Sequence, residues 1–533
     1  MVIFPNSDDG IARILGPLKE RELFIQDPKA LQHIFMKDQH IYEEITSFIA
    51  NNKLVFGDGL VSILGEHHKR QRKMLNPAFS TAHMKLMTSQ FLEVTYKLRD
   101  VLSRKTATGP QEVELMEWLK RTAFEIVARS AFGTTWDPVT EGHDEHRFVS
   151  SAKLLGYVPP PHHSDAFEPF SYECIRALSP VQSRLLFFRV FIVPAIYNYT
   201  RRAPGLYRFL TSLYPSKNLR KMFDIGDTMT EISLELFNEK KVALETGSEA
   251  FKNNHTDILS ILMEANSKAS DADKLPDSEV VAQISTLTFA AMDTTSSALC
   301  RLFWLLAKHQ DVQDRLRAEI REAKRNFGDG PTYDQLSGLA YLDAVCRETL
   351  RLYPPAATIG REYVDHLLFP LLLADSSTID VLIVARTRKD AILPLSKPIK
   401  MADGKYAQEV FIPKDTLIFA SLLGCNTNPD LWGPDSYEWK PERWLTPIPD
   451  KLVEARIPGV YSHLMTFIGG GRSCIGFRFS EMEMKVIVYV LIDHFKFSSA
   501  KQEITWIMGD LTSPSVDPNQ LKPQMPLLVS RAA

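Results

Sequence analysis

From about residue 80 to residue 360 apolar side chains recur every three to four positions, the spacing of one face of a helix, and prolines interrupt the pattern at 158–161 and 354–355. A short helix is expected after Asp27-Pro28, a start signal. The longest periodic run predicts a helix from about Ser278 to His309, opened by Pro276-Asp277. Thirty residues is well beyond the usual length of about 11–12, so this helix should cross the whole molecule. Beyond residue 400 the texture changes to loops rich in glycine, proline and asparagine, with short strands such as EVFIP and TLIFA. The pattern predicts a mainly α protein with a minor β part, one large unit over residues 1–533.

Two helices carry polar groups where apolar ones are expected. In the long helix, Asp293, Thr294, Thr295, Ser296 and Ser297 are flanked by Ala290, Ala291, Leu299, Phe303 and Trp304. A buried carboxylate is costly unless it is paired or used, and the flanking residues argue against a solvated face. A second helix, YLDAVCRETLRLYPP, is stopped by Pro354 and Pro355 and sets Glu348 and Arg351 three apart on one face. A further guanidinium, Arg443, follows in PERW. Two arginines around one carboxylate make sense as a buried network.

The stretch FIGGGRSCIG adds a cysteine, Cys474, just ahead of an amphipathic helix. Glycines let backbone approach a large flat ligand closely, a cysteine before a helix N-terminus has its thiolate favoured by the dipole, and Arg472 can bind an anionic substituent. A phosphate loop would need Lys followed by Ser or Thr at the helix start, which is absent. A merely structural cysteine would leave Phe467, the glycines and Arg472 unexplained as a set.

Composition narrows the class. Lys and Arg number 62 against 65 Asp and Glu, and this near neutrality gives no global pull towards nucleic acid. Five scattered cysteines exclude a disulfide scaffold and point to a reducing compartment; no spacing fits a zinc ribbon or a redox pair. No stretch has the roughly 20 apolar residues of a transmembrane helix. Leu185 to Ile196 is too short and is read as groove packing or shallow membrane contact.

Phe467, Gly470, Arg472, Cys474 and Gly476 together resemble the haem-binding signature of the cytochrome P450 superfamily. Glu348, Arg351 and Arg443 resemble its Glu-Arg-Arg triad, and AAMDTT at 290–295 resembles its oxygen-activation segment, with Ala291 where Gly is commoner. The stretch 65–80 resembles the helix carrying its W-x-x-x-R contact, with His68 in place of Trp. The texture around Cys474 is similar to fungal microsomal members. The resemblance implies haem b with Cys474 as the iron ligand; Arg472, Arg361, Arg72 and His68 at the propionates, with His67 in solvent; and Asp293 and Thr294 in proton delivery. It implies a triad that holds the loop before Cys474, and an apolar substrate pocket lined by Ala290, Ala291, Ala356, Ala357, Thr358 and Ile359 and by residues in 48–64. The implied partners are O2, a lipophilic small molecule and a separate NADPH–cytochrome P450 reductase, with cytochrome b5 as an accessory donor and no nucleic acid. The implied location is the cytosolic face of the endoplasmic reticulum membrane.

The implied reaction is monooxygenation. A haem-thiolate isomerase or dehydratase acting on peroxides is the enzymatic alternative, and a non-catalytic haem-binding paralogue the other. Two features depart from the family. The anchor helix and proline-rich hinge of microsomal members are missing at the N-terminus, as in a truncated chain. Residues 363–386 lengthen the usual passage from Arg361 to KDAILPLSKPI and are expected to be an insertion foreign to the fold.

Overall fold

The computed structural model describes residues 10–15, 21–143, 146–156, 200, 204–213, 217–246, 257–356, 358–359, 382–401, 403–508, 511–517 and 523–532. Eight helices position the site: α1 (Gly65–Leu75), α2 (Thr81–Lys105), α3 (Leu115–Phe132), α4 (Lys217–Glu245), α5 (Asp277–Lys308), α6 (Gln310–Phe327), α7 (Ala340–Leu352) and α8 (Phe477–His494). The long helix expected from Ser278 is α5. It has 32 residues, with Asp277 and Glu279 in its first turn and Lys308 in its last, charges that complement the helix dipole. At about 1.5 Å per residue it runs about 48 Å. It packs against α3, α4 and α8, while α8 lies along α2. Phe91 of α2 meets Phe479 of α8, and Phe303 of α5 meets Phe497, which lies beyond α8, each at 4.7 Å between ring centroids.

Thirteen strands make up the smaller part among the described residues: β1 (Ile11–Leu15), β2 (Arg21–Ile25), β3 (Tyr42–Glu44), β4 (Gln111–Glu114), β5 (Thr358–Ile359), β6 (Leu382–Thr387), β7 (Ala391–Lys400), β8 (Tyr406–Ile412), β9 (Leu417–Ser421), β10 (Phe495–Ser499), β11 (Thr505–Met508), β12 (Thr512–Ser515) and β13 (Pro526–Arg531). The largest sheet has the order β1-β2-β9-β6-β3, with β5 on β6; β10, β13 and β4 form a second, and β7–β8 and β11–β12 are hairpins. EVFIP and TLIFA fall in β8 and β9 as their pattern predicts. Pro28 opens a helix whose first turn is capped by Asp27, which accepts from Ala30 N at 2.9 Å. Pro354 and Pro355 follow the end of α7.

The expected insertion changes at its boundary. Leu382–Arg386 is not foreign to the sheet: it forms most of β6, antiparallel to β9 and parallel to β5. Leu382, Ile383 and Val384 are an apolar run with two β-branched residues, which suits a central strand. Residues 363–381 lie outside the described residues, as do Arg361, Ala357, Cys174 and 185–196.

Candidate active site

Of the four described cysteines, Cys300, Cys346 and Cys425 are buried, and burial pushes each thiol up in pKa. Cys474 alone is accessible. Protein atoms nevertheless crowd the thiol. Burial raises its pKa, against the opposing pull of the Gly476 N–H and of Arg72. Helix α8 begins at Phe477, beyond the Gly476 cap, and the Gly476 N–H opposes the effect of burial. A metal deprotonates a coordinating thiol.

The glycines of this loop serve different ends. A Cβ on Gly470, whose φ is +72°, would lie 1.8 Å from the carbonyl oxygen of Phe35, and one on Gly469 would lie 1.5 Å from that of Pro458. These two glycines admit neighbouring backbone rather than a ligand. Gly476 differs, since a Cβ there meets only the Phe79 ring at 3.9 Å, leaving that face of the loop open. The loop is pinned by Cys474 N donating to Phe467 O at 2.9 Å.

Three basic side chains gather beside it. Arg72, on α1, donates to Ser473 O at 2.5 Å and to Ser473 Oγ at 3.0 Å. Arg472 pairs with Glu44 of β3 at 2.5 Å and donates to Ile63 O at 2.9 Å. His68 is buried, and burial followed by the charges of Arg472 and Arg72 lowers its pKa to about 3. It is therefore a neutral hydrogen-bonding group near neutral pH. Arg72 is itself lowered by burial and by Arg472. Glu44 already supplies an anion to Arg472, whereas Arg72 bonds the uncharged Ser473, so Arg72 is the guanidinium that a ligand carboxylate would complement. His67 is not simply solvated: its Nε2 is 2.8 Å from Glu279 Oε2.

The expected triad is assembled. Arg351 grips Glu348 through two bonds of 2.8 Å, both side chains fully buried, and Arg443 Nε lies 3.4 Å from Glu348 Oε1. Lys440 N and Trp444 Nε1 each donate to the same carboxylate at 3.0 Å. Asp435, held by Arg443 and then Lys440, is lowered to about 2. The network extends to the cysteine loop, since Arg351 donates to Asn426 O at 3.0 Å and Asn426 Oδ1 accepts from Met465 N at 2.7 Å.

On α5 the two candidate relay residues part ways. Thr294 is partly accessible, with Oγ1 donating to Ala290 O at 2.8 Å, and Ala290 is exposed although most of α5 is buried. Asp293, 5% exposed, turns the other way and pairs with Lys120 of α3 at 2.8 Å. Thr295 Oγ1 meets Ser480 Oγ of α8 at 3.1 Å, joining the long helix to the cysteine helix. Ala356 bridges Leu511, and Thr358 and Ile359 form β5. Lys120 and Glu44 were invisible in the sequence reading, because neither stands in a motif and their partners are remote in the chain.

An accessible thiol, cations beside it and a buried helix that opens one face fit a site of the haem-thiolate class. The comparisons agree. The chain matches the cytochrome P450 family over residues 15–158, 192–371 and 388–519, with internal gaps at 159–191 and 372–387. It is 41% identical to cytochrome P450 monooxygenase 91 of Postia placenta over 98% of this chain and 87% of that one. It is 37% identical to ganoderic acid synthetase CYP5150L8 of Ganoderma lucidum over 96% and 85%. The crystal structure of a cytochrome P450 (CYP102L1) shares the fold, with a TM-score of 0.65 at 19% identity over 98% of this chain and 92% of that one. The chain belongs to the cytochrome P450 family. It is a haem-dependent monooxygenase that requires O2 and a redox partner.

Proposed function

We propose that this enzyme inserts one oxygen atom of O2 into a lipophilic small molecule, with electrons from NADPH delivered by a separate reductase flavoprotein. Haem b supplies oxygen activation at its iron when bound. Cys474 would ligate the iron, with Phe467, Gly470 and Gly476 shaping its loop. Arg72, Arg472, Arg361 and the neutral imidazole of His68 would hold the propionates. Glu348, Arg351 and Arg443 anchor the segment that carries the loop.

The observation that carries this reading is the accessible Thr294 hydroxyl on the open face of α5. That hydroxyl can orient a proton-donating water, and Asp293 would join the relay only on turning from Lys120. A peroxide isomerase or dehydratase has no need of such a relay, and it needs neither O2 nor a reductase. Ala290, Ala291, Ala356, Thr358 and Ile359 support an apolar pocket, Ala357 being their neighbour in sequence. The ganoderic acid synthetase relative supports a secondary-metabolite substrate. Among the described residues no helix is long and apolar enough to cross a membrane; we assign the enzyme to the cytosolic face of the endoplasmic reticulum by its resemblance to microsomal members.

The test is NADPH oxidation by the reconstituted enzyme and reductase, read with product formation under 18O2. Label in the product supports monooxygenation. Turnover of a peroxide with neither O2 nor reductase would favour the isomerase reading. Cys474→Ser should abolish the red-shifted Soret band of the CO adduct, because an alkoxide cannot replace the thiolate near neutral pH.

A further inference from the structure

Ala290, Thr294, Ser297 and Arg301 are spaced four, three and four apart, so they form one stripe along α5. The first two are accessible; the last two are buried. The cover over the closed half is the β11–β12 hairpin. Ser297 Oγ donates to Thr512 O at 2.5 Å. Arg301 places its guanidinium carbon 3.4 Å from the Trp506 ring centroid, 4.2 Å from that of Tyr353 and 5.2 Å from that of Trp304. Trp304 and Trp506 also meet edge to face at 5.7 Å. The same hairpin reaches the segment after α7, with Thr512 N donating to Pro355 O at 3.0 Å and Leu511 bridging Ala356.

Arg301 is unusual in its company. It is 8% exposed, and among the described residues no carboxylate pairs with it; its Nε has no hydrogen-bond partner. Burial lowers its pKa to about 9, which still leaves it charged at neutral pH. A buried cation whose neighbours are three aromatic faces is held by ring quadrupoles, an interaction that strengthens when desolvated. The rings come from three separate places: α5 itself, the end of α7, and β11.

We propose that Arg301 is a positioning residue for substrate selection: by clamping Trp506 and Tyr353 it sets how far the 505–515 hairpin and the Pro355–Ala356 segment stand from the open face at Ala290 and Thr294. Arg301 lies two turns beyond Thr294, about 10.5 Å along the axis, and does not touch the reacting atoms. Its effect is on the width of the pocket and not on the chemistry. This rests on the reading that Ala356 lines the pocket.

The experiment uses the haem-loaded enzyme, its Arg301→Met and Arg301→Lys variants, and two iron-binding probes, imidazole and the bulky azole clotrimazole, titrated by the haem spectrum. Deuterium uptake of 505–515 is measured alongside. Arg301→Met should raise uptake in the hairpin and change clotrimazole affinity at least 5-fold, with imidazole affinity within 2-fold of wild type. Arg301→Lys should behave like Arg301→Met, because an ammonium lacks the flat face that stacks between rings; full rescue by Lys would overturn the stacking role. Unchanged uptake would overturn the clamp itself. Raised uptake with both probes unaltered would overturn Ala356 as pocket lining, while leaving the monooxygenase reading to the labelled-oxygen test. If Arg301→Met does not load haem, Trp506→Leu removes the clamp from the hairpin side and is held to the same outcomes.

Discussion

Lys120 on α3 stands 2.8 Å from the carboxylate of Asp293 on α5, and the carboxylate is almost fully buried. The pair fastens the two helices at the point where α5 exposes Thr294. Removing one partner of a buried pair strands the other charge, at a cost of about 3–5 kcal/mol. Lys120 retains some solvent contact, so Lys120→Met should cost less, about 2–3 kcal/mol. The double variant Lys120→Met/Asp293→Asn should recover most of it. Urea unfolding of the four proteins of the cycle measures the coupling, and additive losses would show that the contact contributes nothing.

Thr294→Ala removes a hydroxyl that bonds within its own helix on a partly accessible face. Haem content and ligand affinity should stay near wild type while NADPH consumption decouples from product and hydrogen peroxide appears. The loss then lies in the chemical step and not in ground-state binding. Thr294→Ser should retain most of the coupling. Wild-type coupling in Thr294→Ala would reduce Thr294 to a pocket residue.

Glu348→Gln leaves Arg351 buried with a neutral partner in place of a bidentate carboxylate. A loss of about 3–5 kcal/mol is expected from stranding that charge, with the Met465–Cys474 loop loosened through Asn426. The measurement is haem retained after gel filtration. Full retention would show the network to be dispensable for the loop.

Glu483 of α8 is fully buried, and burial raises its pKa well above the ordinary carboxylate value of 4.5, opposed only by the Thr295 hydroxyl. The native state thus keeps a proton that the unfolded chain releases. Its stabilising contribution is complete below pH 4.5 and is lost as pH rises towards the folded pKa. Relative to Glu483→Gln, the wild type should lose about 1.4 kcal/mol per pH unit above that point. Chemical unfolding of both proteins between pH 5 and pH 8, as rough limits of the native range, reads the difference. Parallel curves would mean that Glu483 is ionised.

Deleting 363–381 joins Glu362 to Leu382 and keeps β6 between β9 and β3. We expect the variant to load haem and to remain soluble at a yield equal to or above wild type. Failure to fold, where the full chain succeeds, would make the segment integral to the sheet.

The sequence alone was enough to determine what depends on local spacing and residue type. Helical periodicity and cap residues located α5 to within a residue at each end, and prolines marked the end of α7. The fixed offsets from Phe467 to Gly476, and from Glu348 to Arg351, identified the cysteine loop and the triad. Tertiary structure decided what depends on the environment of a side chain. Asp293 and Thr294 are neighbours in sequence, but a rotation of about 100° per residue sends one to Lys120 and the other to the accessible face of α5. Cys474 sits ahead of a helix as its motif requires, and only the fold shows the burial that opposes the Gly476 N–H and Arg72 at its thiol. Gly469 and Gly470 look like room for a ligand until the carbonyls of Pro458 and Phe35 are found against them. Arg301 reads as an ordinary polar residue in a helix, and only the folding of β11 and the end of α7 around it turns it into a clamped cation. Local pattern fixes which face a residue takes; burial, charge and the partners that meet there come from segments far apart in the chain.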